Sequence, residues 1–176
     1  MRTTNKIKKV LNSRQIIYLA LLTAVAVVLS AVESMIPVPA PAPGFKLGLA
    51  NTVTLIILME RRSPICALVV TIARCTLAAL LTGAVPSLLF SLAGGIFSCM
   101  VMWLLLHFNY HFSVIGASVA GALSHNLGQL AAASALARDS AVFSYAPALM
   151  VAGVAAGCAT GYIALRINNV IKIIGE

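Results

Sequence analysis

Residues 16–36 read IIYLALLTAVAVVLSAVESMI, an apolar run whose single charged residue is Glu33. About 20 apolar residues span the hydrocarbon core of a bilayer as a helix, so this run predicts a transmembrane helix. Its basic start and its small residues near Ser30 also fit a signal peptide, but the run exceeds the usual apolar core of about 7–15 residues. We therefore interpret it as the first helix of a membrane domain.

The rest of the chain has the same apolar character. Of its 176 residues, 61% are hydrophobic and only 9% are charged, whereas roughly a quarter of the residues of a soluble domain are charged. Further apolar runs lie at residues 47–59, 64–81, 87–106, 113–136 and 145–165, and a loop with four prolines at 37–44 follows the first run. The sequence therefore predicts an all-α integral membrane bundle of six transmembrane helices at residues 16–166. A basic segment (1–15) precedes the bundle, and a short tail (167–176) follows Arg166, which closes the last helix.

The basic residues predict the orientation of this bundle. If the N-terminus is inside, nine of them lie on the cytoplasmic side: Arg2, Lys6, Lys8, Lys9, Arg14, Arg61, Arg62, Arg166 and Lys172. Two lie outside, Lys46 and Arg138, and Arg74 lies within a span. Cytoplasmic loops are enriched in Lys and Arg, so we expect a multi-pass protein of the cell membrane with both termini in the cytoplasm. The net charge of +8 is then a topology signal and an attraction to the anionic lipid bilayer, and it requires no nucleic acid.

The acidic residues and cysteines restrict the chemistry. The sequence has one aspartate, Asp139, and three glutamates, none close to another, which argues against a Mg²⁺-dependent soluble enzyme. No G-x-x-x-x-G-K-[ST] motif is present, so the chain has no P-loop ATPase of its own. The four cysteines are widely spaced and lack zinc-site spacing. We expect a protein that is not an enzyme and has no metal or cofactor.

A few polar residues interrupt the apolar runs and form the candidate substrate-binding set: Glu33, Asn51, Arg74, His125, Asn126 and Gln129. An ionisable residue inside a membrane is expensive and indicates function. All but Arg74 fall in the predicted outer half, which predicts a pocket that opens outward with Arg74 at its floor. Two alternatives stay open: Arg74 can be a packing residue paired with Glu33 or with helix carbonyls, and His125 can be a hydrogen bond between helices.

Small residues at four-residue spacing predict close helix contacts. We interpret Gly153, Gly157 and Gly161 in the sixth helix, and Ala117 with Gly121 in the fifth, as internal packing. Ala20 and Ala24 in the first helix are instead interpreted as a partner-docking surface.

Three stretches carry a resemblance to a known family: ESMIP (33–37), PGFKLGLANTVTL (43–55) and GASVAGALSHNLGQ (116–129). Over roughly residues 14–166 the chain resembles the Gx transporter family, also labelled heptaprenyl diphosphate synthase component I. It is similar in build to the substrate-binding S component of energy-coupling factor transporters.

This resemblance implies a function and partners. Such a subunit captures a small-molecule substrate from the extracellular side and docks its first helix, here through Ala20 and Ala24, on a membrane coupling subunit driven by two cytoplasmic ATPases. The loop at 37–46 would act as a lid over the pocket. The alternatives are a non-catalytic membrane accessory of prenyl diphosphate or quinone biosynthesis, or of a flavin- or quinone-linked redox pathway, and an enzyme acting on lipid. The synthase label does not fit catalysis by this chain, because one aspartate cannot build the aspartate-rich Mg²⁺ sites of prenyl synthases.

Overall fold

The computed structural model describes residues 13–35, 46, 48–61, 63–83, 85–108 and 112–175, and all regular structure in these ranges is helical. The predicted all-α class is therefore confirmed. The described residues form six α-helices, as many as the predicted transmembrane helices, and four of them are long and apolar enough to span a membrane. The α-helices are α1 (Ser13–Glu33), α2 (Asn51–Arg61), α3 (Pro64–Thr82), α4 (Val85–Phe108), α5 (Val114–Ala137) and α6 (Ala146–Gly175), and a 3-10 helix, Ser140–Tyr145, lies between α5 and α6. The proline-rich loop predicted at 37–44 falls outside the described residues.

The helices end where the sequence carries end signals. α3 begins at Pro64, directly after Ser63, and is followed by Gly83, whose φ of 66° is left-handed. α5 begins after Ser113, whose hydroxyl accepts a 2.9 Å hydrogen bond from the Gly116 amide, as expected of an N-cap. Arg138, with a φ of 53°, ends α5. The short connections that result place α3, α4, α5 and α6 as successive packed neighbours.

Four segments are long and apolar enough to cross a membrane: Ser13–Glu33, Pro64–Thr82, Ser87–Phe108 and Ser140–Val170. The two remaining helices, α2 and α5, do not meet this criterion, because α2 is too short and α5 is not apolar enough. With 11 residues, α2 is only about 16 Å long at 1.5 Å per residue, less than the ~30 Å hydrocarbon core. The 24 residues of α5 are long enough, but His125, Asn126 and Gln129 lower its hydropathy.

The short helix α2 is the centre of the bundle. Every residue from 51 to 58 is buried, and α2 packs against all five other helices. A helix with apolar side chains on all sides is typical of a protein interior. The few polar side chains of α2 form hydrogen bonds inside the bundle. The Thr54 hydroxyl lies 3.1 Å from the Thr71 hydroxyl of α3, and Thr52 donates to the Leu49 carbonyl at 2.8 Å.

Glycines bring α5 and α6 into close contact, as their spacing predicts. A Cβ atom added at Gly157 would lie 2.6 Å from the Cα of Val119, and one added at Gly161 would lie 2.9 Å from the Cα of Ile115. Side chains larger than hydrogen at these two positions would push the backbones apart. The contact is therefore internal packing, which aligns α5 against α6 over several turns.

The C-terminal helix is longer than predicted. We expected Arg166 to close it, but α6 continues to Gly175, so the tail predicted at 167–176 is helical through nine of its ten residues. Arg166 does not disrupt the helix because its guanidinium turns back along it. The Nε and Nη2 atoms donate to the Tyr162 hydroxyl one turn earlier, at 2.9 and 2.7 Å, and no proline follows.

Candidate functional site

Seven polar side chains from five segments of the chain meet inside the bundle. We call this group the polar cluster, and its members are Ser30, Glu33, Lys46, Asn51, Arg74, His125 and Gln129. Each of these residues is less than 7% exposed. The cluster lies toward the end of the bundle where α1 ends and α2 begins.

Arg74 lies near the middle of α3 and points into the bundle. Its Nη2 donates to Asn51 Oδ1 of α2 at 2.7 Å, and its Nη1 donates to the Ser30 hydroxyl of α1 at 3.4 Å. Gly95 of α4 lies beside this part of α3, since a Cβ atom there would lie 2.8 Å from Thr71 Cγ2 and in ordinary contact with Arg74 Nη2 at 3.5 Å. Arg74 thus ties three helices together through polar contacts, and no carboxylate of the described residues pairs with it directly.

Glu33, the last residue of α1, holds the chain that enters α2. Its Oε1 accepts hydrogen bonds from the backbone amides of Gly48 and Leu49, the latter at 3.2 Å. Gly48 has a φ of 91°, a conformation that only glycine adopts without strain. A Cβ atom on Gly48 would lie 2.7 Å from Asn51 Nδ2, so glycine is required here for both conformation and space.

Gln129 of α5 binds the backbone of Lys46 with both ends of its amide. Its Oε1 accepts from the Lys46 amide at 3.2 Å, and its Nε2 donates to the Lys46 carbonyl at 3.1 Å. The same Nε2 lies 2.6 Å from His125 Nε2. Because an amide nitrogen can only donate, His125 accepts through Nε2 and carries its proton on Nδ1.

Lys46 lies two residues before Gly48, and it is itself buried at 6% exposure. Burial lowers the pKa of Lys46, and the negative charge of Glu33 opposes that shift. The ammonium group is therefore within electrostatic reach of both Glu33 and Arg74.

The structure brings together five of the six residues predicted to bind substrate: Glu33, Asn51, Arg74, His125 and Gln129. Asn126 lies elsewhere, because its Nδ2 donates to the Leu149 carbonyl of α6 at 2.6 Å. Adjacent residues on a helix differ in direction by about 100°, which turns Asn126 away from the face shared by His125 and Gln129.

The predicted binding set did not include two members of the polar cluster, Ser30 and Lys46, or the backbone amides of Gly48 and Leu49. Ser30 lies one turn before Glu33 on α1, a spacing that could have signalled a shared face. Lys46 was predicted as an outer basic residue and as the end of the lid loop at 37–46, and not as a binding residue. The amides of Gly48 and Leu49 belong to the backbone, so the pattern of side chains does not predict their role. The one sequence signal is Gly48 itself, because glycine favours a left-handed conformation.

Four polar atoms of the cluster have no hydrogen-bond partner within the described part of the chain: Glu33 Oε2, Asn51 Nδ2, Arg74 Nε and His125 Nδ1. Their residues are 1%, 6%, 3% and 2% exposed. Leaving a buried donor or acceptor unsatisfied costs about 1–3 kcal/mol, and more for a charged group. The cluster thus presents one acceptor and three donors to a polar molecule.

Among the described residues, no group of three or more His, Cys, Asp and Glu side chains is arranged to hold a metal ion.

The residues predicted to dock a partner lie on the first helix. Ala20 and Ala24 are exposed on α1, on a face that also exposes Leu21, Val25 and Val28. The predicted docking residues therefore lie on the outside of the bundle, away from the polar cluster.

Comparison with known proteins yields one match. The family model described as heptaprenyl diphosphate synthase component I matches residues 22–167, which include every member of the polar cluster. No curated protein and no solved structure matches the chain.

Proposed function

The chain belongs to the heptaprenyl diphosphate synthase component I family, and we propose that it is a membrane-embedded substrate-binding subunit. In this proposal it works as the S component of an energy-coupling factor transporter and captures a small polar molecule from the extracellular side. The polar cluster is the binding site, and Lys46, Gly48 and Leu49 form part of its cover.

The observation that carries this proposal is the set of four unpartnered atoms in one cluster, on Glu33, Asn51, Arg74 and His125. They lie inside a bundle whose other interior residues are mostly apolar, where unsatisfied polar groups are costly. A ligand that supplies the missing hydrogen bonds recovers this free energy only when it is bound. Single unpartnered atoms also occur outside the cluster, on Ser91, Ser98, Trp103 and Asn126. The cluster differs from these because it gathers several such atoms, two of them on charged groups, for which the cost is higher.

The composition supports binding rather than catalysis. The sequence has one aspartate and three glutamates, and among the described residues Glu33 is the one carboxylate in the site, without a second one for acid–base work. A transport cycle then needs an energy source outside the chain. The exposed alanines of α1, Ala20 and Ala24, offer a flat helix face for a membrane coupling subunit that works with cytoplasmic ATPases.

A second candidate function follows from the family description. A membrane accessory of a prenyl diphosphate synthase would bind a soluble synthase rather than a small polar ligand, and the polar cluster would then serve only to fix the helices. Co-purification separates the two candidates. A coupling subunit with ATPases supports the first, and a soluble prenyl synthase supports the second.

Native mass spectrometry of the gently purified protein tests the binding proposal. We expect the wild type to retain a small molecule. Arg74→Lys should lose it, because lysine keeps the charge but not the planar, multi-donor guanidinium. Thr76→Val is the matched control, since Thr76 is only partly buried on the same helix and its hydroxyl bonds to the Ile72 carbonyl one turn earlier. A wild type without any retained molecule, purified together with a prenyl synthase, would refute the proposal.

A further inference from the structure

The polar cluster carries an unbalanced charge. It contains two basic side chains, Lys46 and Arg74, and one acidic side chain, Glu33, and these three residues are 6%, 3% and 1% exposed. Glu33 acts electrostatically on Lys46, and Arg74 acts on both. With all three groups ionised, the cluster has a net charge of +1 in an interior where an unpaired charge is expensive.

No other carboxylate in the described part of the chain supplies the missing negative charge. Glu60 accepts from the Tyr18 hydroxyl at 2.8 Å through both oxygens, far along α2 from the cluster. Asp139 caps the exposed 3-10 helix through the Ala141 amide. Residues 36–45, which include the proline-rich loop, contain no acidic residue.

The unpartnered atoms define where a ligand would interact. Arg74 Nε, Asn51 Nδ2 and His125 Nδ1 are donors, and Arg74 and Asn51 are joined by the 2.7 Å bond between Nη2 and Oδ1. The free donors of Arg74 and Asn51 therefore belong to one pair of contacting side chains that can bind an acceptor group. Glu33 Oε2 is an acceptor, and it needs an N–H or O–H donor from the same ligand.

We infer that the ligand of the polar cluster is a small carboxylic acid in its monoanionic form that also carries an N–H or O–H donor. Its carboxylate accepts from Arg74 and Asn51, and its donor group binds Glu33. One negative charge balances the cluster, whereas a phosphate dianion or a diphosphate would carry too much charge and be repelled by Glu33. This inference rests on the proposed binding function and names the substrate class of the same site.

Lys46 sets the charge of the site without fixing its shape. Its contacts to Gln129 are made by the backbone N–H and C=O, so its side chain can be replaced while these two hydrogen bonds remain. Lys46→Met therefore changes the net charge from +1 to zero, and Lys46→Arg is the matched control that keeps it. Glu33→Gln raises the net charge to +2 and keeps an oxygen for the Gly48 and Leu49 amides.

The experiment measures binding of matched probes to the full-length protein in lipid nanodiscs, by thermal stabilisation and native mass spectrometry. The probes are a panel of small hydroxy and amido carboxylates, the methyl ester and primary amide of each, and inorganic phosphate and diphosphate. We expect wild type and Lys46→Arg to prefer a carboxylate over its ester and amide by about tenfold or more. Lys46→Met should lose that preference, and Glu33→Gln should shift it toward phosphate.

Two kinds of failure are distinguishable. If a probe stabilises the wild type but the neutral ester or the diphosphate binds at least as tightly as the carboxylate, the inference about the ligand is wrong and the binding function stands. Retention of the carboxylate preference in Lys46→Met would also contradict it. If no probe and no co-purified molecule binds the wild type, the binding function itself fails, and the ligand class fails with it.

Discussion

At the residue scale, the site depends on a few side chains whose burial is explained only by their polar partners. Arg74 and Glu33 are among the most buried residues of the chain, yet their contacts within the described residues go to Ser30, Asn51 and backbone amides rather than to each other. This arrangement leaves hydrogen-bonding capacity on both residues. A closed ion pair would have left much less.

Gly48 allows the sharpest test at this scale. Gly48→Ala should lower thermal stability, because the left-handed conformation costs a side chain about 1–2 kcal/mol, and it should also abolish ligand retention, because the new Cβ meets Asn51 Nδ2 at 2.7 Å. Gly83→Ala is the matched control: Gly83 has a φ of 66° but nothing within 4 Å of an added Cβ. Thermal melts and native mass spectrometry on both variants measure the two effects. Equal ligand retention in the two variants would show that Gly48 does not shape the site.

The cost of burying polar groups also explains which residues of the site could be predicted from the sequence. Arg74, His125 and Gln129 could be predicted because polar residues in an apolar run require a reason. Lys46 could not be predicted, because a lysine in a loop is usually solvated. Its burial accompanies the two backbone hydrogen bonds to Gln129, a residue 83 positions away in the sequence. Asn126 belongs to the predicted set because it is also a polar residue in an apolar run. Its side chain points toward α6 instead of the polar cluster, and the presence of a polar residue alone does not predict that direction.

At the element scale, close helix contact depends on the absence of side chains. Gly157→Ala would bring a Cβ to 2.6 Å from the Val119 backbone, and backbone cannot yield as a flexible side chain can. We expect a loss of about 1–3 kcal/mol, the usual cost of overpacking, measured as a lower melting temperature in detergent. Ala155→Val, at an exposed position of α6, should have little effect. A tolerated Gly157→Ala would mean that α5 and α6 separate easily.

The exposed face of α1 leads to a second prediction at this scale. Ala20 and Ala24 leave the helix backbone accessible, so Ala24→Trp should block assembly with the coupling subunit by holding the two helices apart. Folding and ligand retention should stay unchanged, because Ala24 is far from the polar cluster in the bundle. Ala159→Trp, an equally exposed alanine on α6, is the control. Co-purification of the complex is the measurement, and an intact complex from Ala24→Trp would contradict the docking surface.

Element boundaries show what local sequence signals could and could not predict. Pro64, Gly83 and Ser113 mark helix ends that the structure has within one or two residues. The start of α2 at Asn51 rather than residue 47, and the extension of α6 to Gly175, depend on tertiary contacts and on the Tyr162–Arg166 pair. Neither is visible as a break in the apolar pattern.

At the scale of the whole molecule, the orientation in the membrane decides which side a ligand enters from. The polar cluster lies toward the end of the bundle that also holds Gly83 and the 3-10 helix Ser140–Tyr145. The opposite end holds Ser63, between α2 and α3. Nine basic residues against two predict that the end with the polar cluster faces outward.

Site-specific labelling of single cysteines tests this orientation. The background is Cys158→Ala, since Cys158 is the exposed native cysteine and Cys66, Cys75 and Cys99 are buried. In intact cells, a membrane-impermeant maleimide should label Ser140→Cys, because Ser140 lies in the loop assigned to the outside. Ser63→Cys should be labelled only after the membrane is permeabilised. Denatured samples of both variants give the total reactive thiol for comparison. Labelling of Ser63→Cys in intact cells, with Ser140→Cys protected, would place the polar cluster on the cytoplasmic side and overturn capture from outside.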